Sequence, residues 1–470
     1  MTGTIWRAIA CAALCGLAEP ALAQAPARAP APRSAQAPRP AQAPNPAQAP
    51  NPGAGANQAP VADPVHVGVQ SCAGNNCHGA THPVGAARVQ QNEYFIWSQK
   101  DKHSKAYAVL SDPRSLRIAK NLGLADAQHA TLCLDCHTDN VPVDRRGPQF
   151  QLSDGIGCEA CHGGALPWLG THIQGVTHQA NLAAGMYPMD QPLARAERCL
   201  SCHVGSDKKF VTHKMMGAGH PPMPFELDTY TAIEPAHFTV TPSYVERKGR
   251  PNDMQFWAVG QAVDVKQRMD LILDQKQAPK GVDFELSLFD CQSCHHSMSD
   301  LQWEARASSG LPPGRIKLYD ATAMMLRVAA ERVAPDTAKA LRDHILALHA
   351  AAGDSWDAVK REASAVRDAA NALIPQFVAH EFNKDDARAM ADAVIATALE
   401  DHDFDYSGAQ QQVMALESIV TAMKSLGLAD ETQISGLNQA LDGLYAAVAD
   451  DQKYSPDAYA EALKAFKAKL

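Results

Sequence analysis

Residues 155–164 of the 470-residue chain read Gly-Ile-Gly-Cys-Glu-Ala-Cys-His-Gly-Gly, and the pentapeptide Cys158–His162 lies at their centre. In this pentapeptide two residues separate two cysteines, and a histidine follows at once. The same spacing recurs at Cys133–His137, Cys199–His203 and Cys291–His295. A fifth copy, Cys72–His78, has four residues between its cysteines, and the extra residues are of types that loop outward easily. Ten of the twelve cysteines therefore form five pairs, each with its own histidine.

This spacing is the signature of covalent attachment of a c-type haem. The two thiols add to the vinyl groups of the porphyrin, and the adjacent histidine reaches the iron from one face. We therefore expect five covalently attached haems c. Their attachment points are Cys72, Cys77, Cys133, Cys136, Cys158, Cys161, Cys199, Cys202, Cys291 and Cys294. The expected proximal iron ligands are His78, His137, His162, His203 and His295.

Three other uses of paired cysteines fit the pattern less well. A zinc ribbon needs two pairs for each metal and does not explain a histidine after every pair. Disulfides between such near neighbours would close loops too short to stabilise a fold. A thioredoxin-like redox pair would lie in an alternating strand and helix pattern, which the surrounding sequence lacks.

Ten further histidines in the same part of the chain are candidates for the second axial position of each iron. The preferred candidates are His103, His172, His213, His220 and His129. His178 and His237 come next, followed by His296, His66 and His82. Five of them would make every iron bis-histidine, a ligation that gives lower reduction potentials than a histidine and methionine pair.

Two stretches carry a resemblance to a known family. Residues Gly155–Gly164, with a histidine soon after, and Trp97–Leu110 resemble exported multihaem cytochromes c related to the tetrahaem cytochrome of ammonia-oxidising bacteria. Pentahaem nitrite reductases and octahaem hydroxylamine oxidoreductases belong to the same wider group. The resemblance covers roughly residues 65–300, implies closely packed haem pairs, and implies His103 and His172 as distal ligands. The sequence departs from the group in the wide spacing of its first motif, and it lacks the lysine-containing motif of the nitrite reductases.

The N-terminus predicts export. An apolar stretch at Ala8–Leu17 precedes a small-residue cleavage site at Ala21–Ala23, so residues 1–23 are predicted to be a cleaved signal peptide and the protein to be periplasmic. Residues 24–64, rich in proline and alanine, are predicted to be a disordered linker. A net charge of −9 gives no basic footprint for a nucleic acid. No later apolar run is long enough to embed the chain in a membrane.

The predicted fold class is mainly α. We expect an irregular, haem-cored multihaem cytochrome c domain at residues 65–314 and an α-helical bundle at residues 315–470. In the first domain, helices are predicted at Glu93–Leu110, Arg114–Leu122 and Gln255–Asp274. In the second, apolar residues at helical spacing predict helices at Leu318–Val333, Asp336–Ala352, Trp356–Leu373, Lys384–Glu400, Ala409–Leu426, Glu431–Ala449 and Ser455–Lys467.

These features favour a periplasmic pentahaem cytochrome that carries electrons between redox partner proteins. The alternative is an oxidoreductase acting on a small nitrogen or sulfur compound at one haem with an open coordination position. The widely spaced Cys72 motif is the candidate for that haem. In a third hypothesis the helical domain is a docking platform for a redox partner. The sequence assigns no catalytic residue and indicates neither the donor, the acceptor nor the oligomeric state.

Overall fold

The structure is a computed structural model that describes residues 64–85, 89–275, 285–295, 309–311, 315–399 and 405–470. The predicted signal peptide, nearly all of the predicted linker, His296 and His402 lie outside these residues. Described residues from 64 onward form one compact unit. Among them, no helix is both long and apolar enough to cross a bilayer.

Short helices and turns build the part that carries the cysteine motifs. The helices are α1 Glu93–Lys100, α2 Pro113–Leu122, α3 Thr131–His137, α4 Cys158–His162, α5 Leu169–His172, α6 His178–Ala183, α7 Pro192–His203, α8 His213–Ala218, α9 Leu227–Ile233, α10 Pro242–Lys248 and α11 Asp253–Leu273. Threonine side chains cap α6, α8 and α10 by accepting a backbone N–H of the first turn. In the described residues β-pairing is limited to three isolated bridges, so the mainly α prediction is confirmed.

The helix predicted at Glu93–Leu110 is wrong in its second half. Helix α1 ends at Lys100, and two short 3-10 turns follow at Lys102–Lys105 and Ala108–Ser111. Asp101 causes the break, because its backbone is extended and its carboxylate accepts the N–H of His103 at 2.9 Å. The aspartate thus ends one helix and begins the next turn.

Seven longer helices follow, close to the predicted bounds: α12 Ala321–Val333, α13 Pro335–Ala351, α14 Trp356–Ala379, α15 Lys384–Leu399, α16 Tyr406–Ser425, α17 Glu431–Ala447 and α18 Pro456–Lys467. Ser455 caps α18, as its position before a proline predicts. Helix α13 begins at Pro335, so Asp336 lies in its first turn and is not its N-cap.

The hydrophobic core joins the motif-bearing part to the helical part. Helix α11 is buried along most of its length, and Met254 and Trp257 are fully enclosed. It packs against α7, which ends in the fourth motif, and against α12, α14 and α16. Packing is thus continuous across the predicted boundary at residues 314 and 315, while the boundary itself remains a prediction.

The fifth motif is also tied to the helical part. The N–H of Asp290 donates to the carbonyl of Lys317 at 2.9 Å, and the side chain of Gln292 accepts the N–H of Tyr406 at 2.8 Å. The ammonium of Lys317 is buried, 2.8 Å from Asp320 and 2.6 Å from Asp405. A buried ion-pair cluster therefore lies directly behind the segment that begins with Cys291.

Candidate haem sites

The cysteine motifs share one local geometry. Motifs two, three and four each end a short α-helix, so the two cysteines and the histidine lie within one helical turn and project from one face. In the fifth motif the N–H of His295 donates to the carbonyl of Cys291 at 2.7 Å. In the first motif the N–H of His78 makes the equivalent bond to Cys72 at 3.2 Å, although two more residues intervene.

The extra residues of the first motif form a turn of their own. The N–H of Cys77 donates to the carbonyl of Gly74 at 2.8 Å, which closes the turn. Gly79 follows the motif where a Cβ atom would lie 2.0 Å from the carbonyl oxygen of Ala73, so only glycine fits. The inserted residues thus bulge out, and His78 takes the same place relative to Cys72 as the histidines of the other motifs relative to their first cysteines.

Four of the five motif histidines face a second histidine ring from a distant part of the chain. The centroid distances are 5.9 Å for His78 and His172, 6.4 Å for His137 and His220, 6.3 Å for His203 and His103, and 6.3 Å for His295 and His213. Since an imidazole nitrogen binds a metal at about 2.0–2.1 Å and lies about 1 Å from its ring centre, two rings on opposite sides of one metal are about 6 Å apart. The four pairs therefore have the spacing of bis-histidine metal ligation.

Hydrogen bonds orient the rings of several of these histidines through Nδ1. Nδ1 of His78 lies 2.9 Å from Glu93 and that of His103 lies 3.1 Å from Asp101. Nδ1 of His137 and of His220 each contact a backbone carbonyl at 2.8 Å, from Ala106 and Pro221 respectively. A proton on Nδ1 leaves Nε2 free to bind a metal, and such second contacts are typical of metal-ligating histidines.

Electrostatics favour the neutral, metal-binding form at the deeper motif histidines. Burial lowers the pKa of His162 to about 3 and that of His203 to about 4. At the first motif the hydrogen bond that the ring of His78 donates to the carboxylate of Glu93 raises the pKa of His78. The contacts of Glu93 and Asp101 with histidine rings were not predicted from the sequence. The signal that could have found Asp101 is its position two residues before a candidate histidine.

His162 differs from the other four motif histidines. Among the described residues it makes no ring contact with another histidine. His237 and Lys248 lie within electrostatic range, and after burial they are the largest causes of its lowered pKa. His237 belongs to an irregular segment between α9 and α10. His162 is thus the motif histidine whose opposite side is least defined.

The remaining predicted axial ligands lie outside the four pairs. His129, a preferred candidate, is 81% exposed and its Nδ1 contacts Asp126, so this geometry gives the ligand prediction no support. Nε2 of His178 contacts Asp190 at 3.0 Å. His66 is buried with its Nδ1 2.6 Å from Asp139, and His82 is exposed. Each has a protein environment that does not bring it opposite a motif histidine.

Thiols of different motifs lie side by side. No disulfide joins any two of the ten described cysteines. The thiol of Cys72 interacts with that of Cys158, and this interaction lowers the pKa of Cys72 and raises that of Cys158. Cys136 interacts likewise with Cys202, and together with Lys209, whose Nζ lies 3.3 Å from the Cys202 sulfur, it lowers the pKa of Cys202 to about 5. The first motif is therefore adjacent to the third, and the second to the fourth.

Two further contacts join these pairs of motifs. Cys199 of the fourth motif is close enough to Cys161 of the third for its charge to raise the pKa of Cys161. His213, the first residue of α8, faces the fifth motif, and His220, two residues beyond the end of α8, faces the second. The five motifs consequently form a connected series in the order first, third, fourth, second, fifth.

An unsatisfied polar atom also fits a bound group. In the part of the chain that the structure describes, Nε1 of Trp168 is buried without a hydrogen-bond partner, and its ring centroid lies 5.5 Å from that of His172. Buried donors normally have a partner. Thiols, paired imidazoles and an unsatisfied donor together match a covalently held, iron-containing macrocycle with acidic substituents.

Comparison with known proteins gives a match to the first part of this site. Residues 71–163 match the family model described as "Cytochrome c554 and c-prime". The matched segment contains the first three cysteine motifs, from Cys72 to His162. No curated protein and no solved structure gives a match to the chain.

Proposed function

Because residues 71–163 belong to the cytochrome c554 and c-prime family of multihaem cytochromes c, we propose that the whole chain is a periplasmic pentahaem electron carrier between redox partner proteins. Covalently bound haem c and the need for redox partners follow from the family and the motifs. The number of haems, their ligands and the location are our proposal. Haem iron supplies a reversible one-electron couple whose potential depends on axial ligands, burial and nearby charge.

The four histidine pairs carry this proposal. We assign His172, His220, His103 and His213 as the distal ligands opposite His78, His137, His203 and His295, respectively. Two neutral imidazoles saturate an iron, which suits electron transfer because nothing has to bind or leave. For His162 we assign His237, supported by its electrostatic proximity. His129 is left out of this ligand set.

The order of the motifs supports a path for electron transfer through the protein, with one end at the first motif and the other at the fifth. The cysteines and histidines of the third and fourth motifs are half-buried, whereas Cys77 in the first motif and Cys291, Cys294 and His295 in the fifth are exposed. Exposed ends and shielded middle members are what a conductor between two partners requires. We therefore propose that electrons enter and leave at the first and fifth motifs.

Counting and spectroscopy test the proposal. The intact mass of the purified protein should exceed that of its polypeptide by five haems, and a pyridine haemochrome assay should give five haems per chain. Low-temperature electron paramagnetic resonance should show low-spin iron. A colourless protein with the bare polypeptide mass would contradict the haem assignment. Fewer than five haems would contradict the pentahaem assignment.

A second candidate function rests on the distinct surroundings of His162. The wide spacing of the Cys72 motif predicts that its haem has the open coordination position. The distance of 5.9 Å between the rings of His78 and His172 does not support that prediction. His237 lies on an irregular segment, so it is the distal ligand that a small nitrogen or sulfur compound would displace most easily. A change in the low-spin signal of one haem on adding cyanide, nitrite or hydroxylamine to wild-type protein, with the other haems unchanged, would favour this function.

A further inference from the structure

The third motif contains a buried carboxylate that holds the chain leading to the first motif. Glu159, the residue after Cys158, is 2% exposed. One carboxylate oxygen accepts the N–H of Val67 at 2.8 Å and of Ala165 at 2.7 Å, and the other accepts the N–H of Gly68 at 2.7 Å. Three backbone donors therefore converge on one negative charge, and two of them belong to the segment just before Cys72.

Glycines allow this segment to approach the third motif closely. A Cβ atom on Gly164 would lie 2.5 Å from the carbonyl oxygen of Pro64, and one on Gly157 would lie 2.5 Å from a methyl group of Val69. Gly68 has a φ of 95°, and its Cβ would lie 2.2 Å from the carbonyl oxygen of Gln149. Only glycine fits such backbone approaches. Residues 64–69 are thus packed directly on the loop and helix of the third motif.

We propose that Glu159 is a positioning residue that fixes the separation of the first and third haems and thereby their electron exchange, an inference that rests on the proposed function. Its carboxylate links the two motifs where the thiols of Cys72 and Cys158 interact. Charge-assisted hydrogen bonds in a buried site are stronger than neutral ones, so this carboxylate holds the segment before the first motif firmly against the third motif. Its charge also stabilises the oxidised, more positive form of both irons.

Two substitutions separate the geometric effect of Glu159 from its charge. Glu159→Gln keeps the length of the side chain but removes the charge and sets an amide donor against backbone donors. Glu159→Asp keeps the charge but is one methylene too short to reach all three N–H groups. Glu197→Gln is the matched control, because Glu197 is exposed and lies two residues before Cys199 of another motif.

Three quantities are measured for each variant: the haem count, the exciton couplet of the Soret circular dichroism band, and the reduction potentials from a spectroelectrochemical titration. The couplet reports contact between haems. Each variant should retain five haems. Both substitutions of Glu159 should weaken the couplet, and only Glu159→Gln should raise the potentials of two haems. Glu197→Gln should leave the couplet unchanged and should not reproduce this rise in two potentials.

The outcomes distinguish this inference from the function on which it rests. A wild-type protein without five haems would overturn the proposed function. Five haems with an unchanged couplet in both Glu159 variants would overturn the positioning role alone. If Glu159→Gln does not accumulate with its haems, Glu159→Asp decides the matter, since a wild-type couplet in that variant contradicts the proposal.

Discussion

At the scale of single residues, a histidine in this protein is characterised by what its second nitrogen contacts. His78 and His137 each use Nδ1 to contact a carboxylate or a carbonyl, which leaves Nε2 available to a metal. His178 uses Nε2 for Asp190 instead, and His129 extends into solvent. Residue type alone does not separate these groups, because the difference is made by neighbours distant in the sequence.

Removing a distal histidine tests this distinction. We expect His172→Ala to open the sixth position opposite His78, so that one of five haems gives a high-spin signal in electron paramagnetic resonance. His129→Ala is the control, because its exposed ring faces no motif histidine, and we expect its spectrum to match the wild type. A fully low-spin spectrum for His172→Ala would show that His172 is not an axial ligand.

The proximal histidines and their cysteines follow from the sequence because the motif is local. His103, His172, His213 and His220 could also be proposed as distal ligands from their settings, and the structure brings each of them opposite a motif histidine. The pairing could not be predicted, since each pair is made by packing between remote segments. For the same reason the exposure of His129 to solvent could not be predicted from the sequence.

At the scale of elements, the fifth motif depends on an ion-pair cluster contributed by three other segments. Lys317 lies among Asp290, Asp320 and Asp405, and Nε2–H of His349 donates to Asp320 at 3.0 Å. Three carboxylates face one ammonium and one imidazole, so the carboxylates outnumber the groups that can carry a positive charge by one. Helical periodicity predicted the helices around this cluster, but it carries no information about which charges meet between them.

Asp290 makes the stability of the protein depend on pH. Burial, followed by the nearby carboxylate of Asp405, raises the pKa of Asp290 from 3.8 to about 7. The native state therefore holds a proton that the unfolded chain releases, so stability falls as pH rises from 3.8 to about 7 and levels off above that range. We expect Asp290→Asn to stabilise the protein more at pH 8 than at pH 5, by on the order of 2 kcal/mol.

Chemical denaturation of the haem-loaded protein at both pH values measures this effect. Asp343→Asn is a suitable control, since Asp343 is 61% exposed and makes only a surface ion pair with Lys339. An equal change in unfolding free energy at pH 5 and pH 8 for Asp290→Asn would refute the assignment of the titrating group.

At the scale of the whole molecule, the motif-bearing and helical parts share one core. Gln255 of α11 donates to the carbonyls of Phe377 and Val378 at the end of α14. Phe377 is fully buried, as are Trp257 and Met254 on α11. The change in sequence character near residue 315 predicts a boundary between two regions. The packing between the two regions could not be predicted, because both faces of α11 are apolar and no local sequence pattern indicates which helices each face contacts.

A chain that ends at residue 311 tests the importance of this shared core. Each large side chain that it would expose contributes about 1.5–3 kcal/mol, and several together exceed the usual stability of about 5–15 kcal/mol. We therefore expect the truncated chain to be degraded, or to be recovered with fewer than five haems. Recovery with five haems and a cooperative thermal transition would show that the motif-bearing part folds alone.

The proximity of thiols from different motifs has a consequence for how this protein matures. In an oxidising compartment, a chain that folded before haem attachment would bring Cys72 to Cys158 and Cys136 to Cys202, and loss of two electrons and two protons would join each couple as a disulfide. Either cross-link would block two haems at once. Haem must therefore be attached before the chain folds, or a reductant must keep these thiols reduced until all the haems are attached.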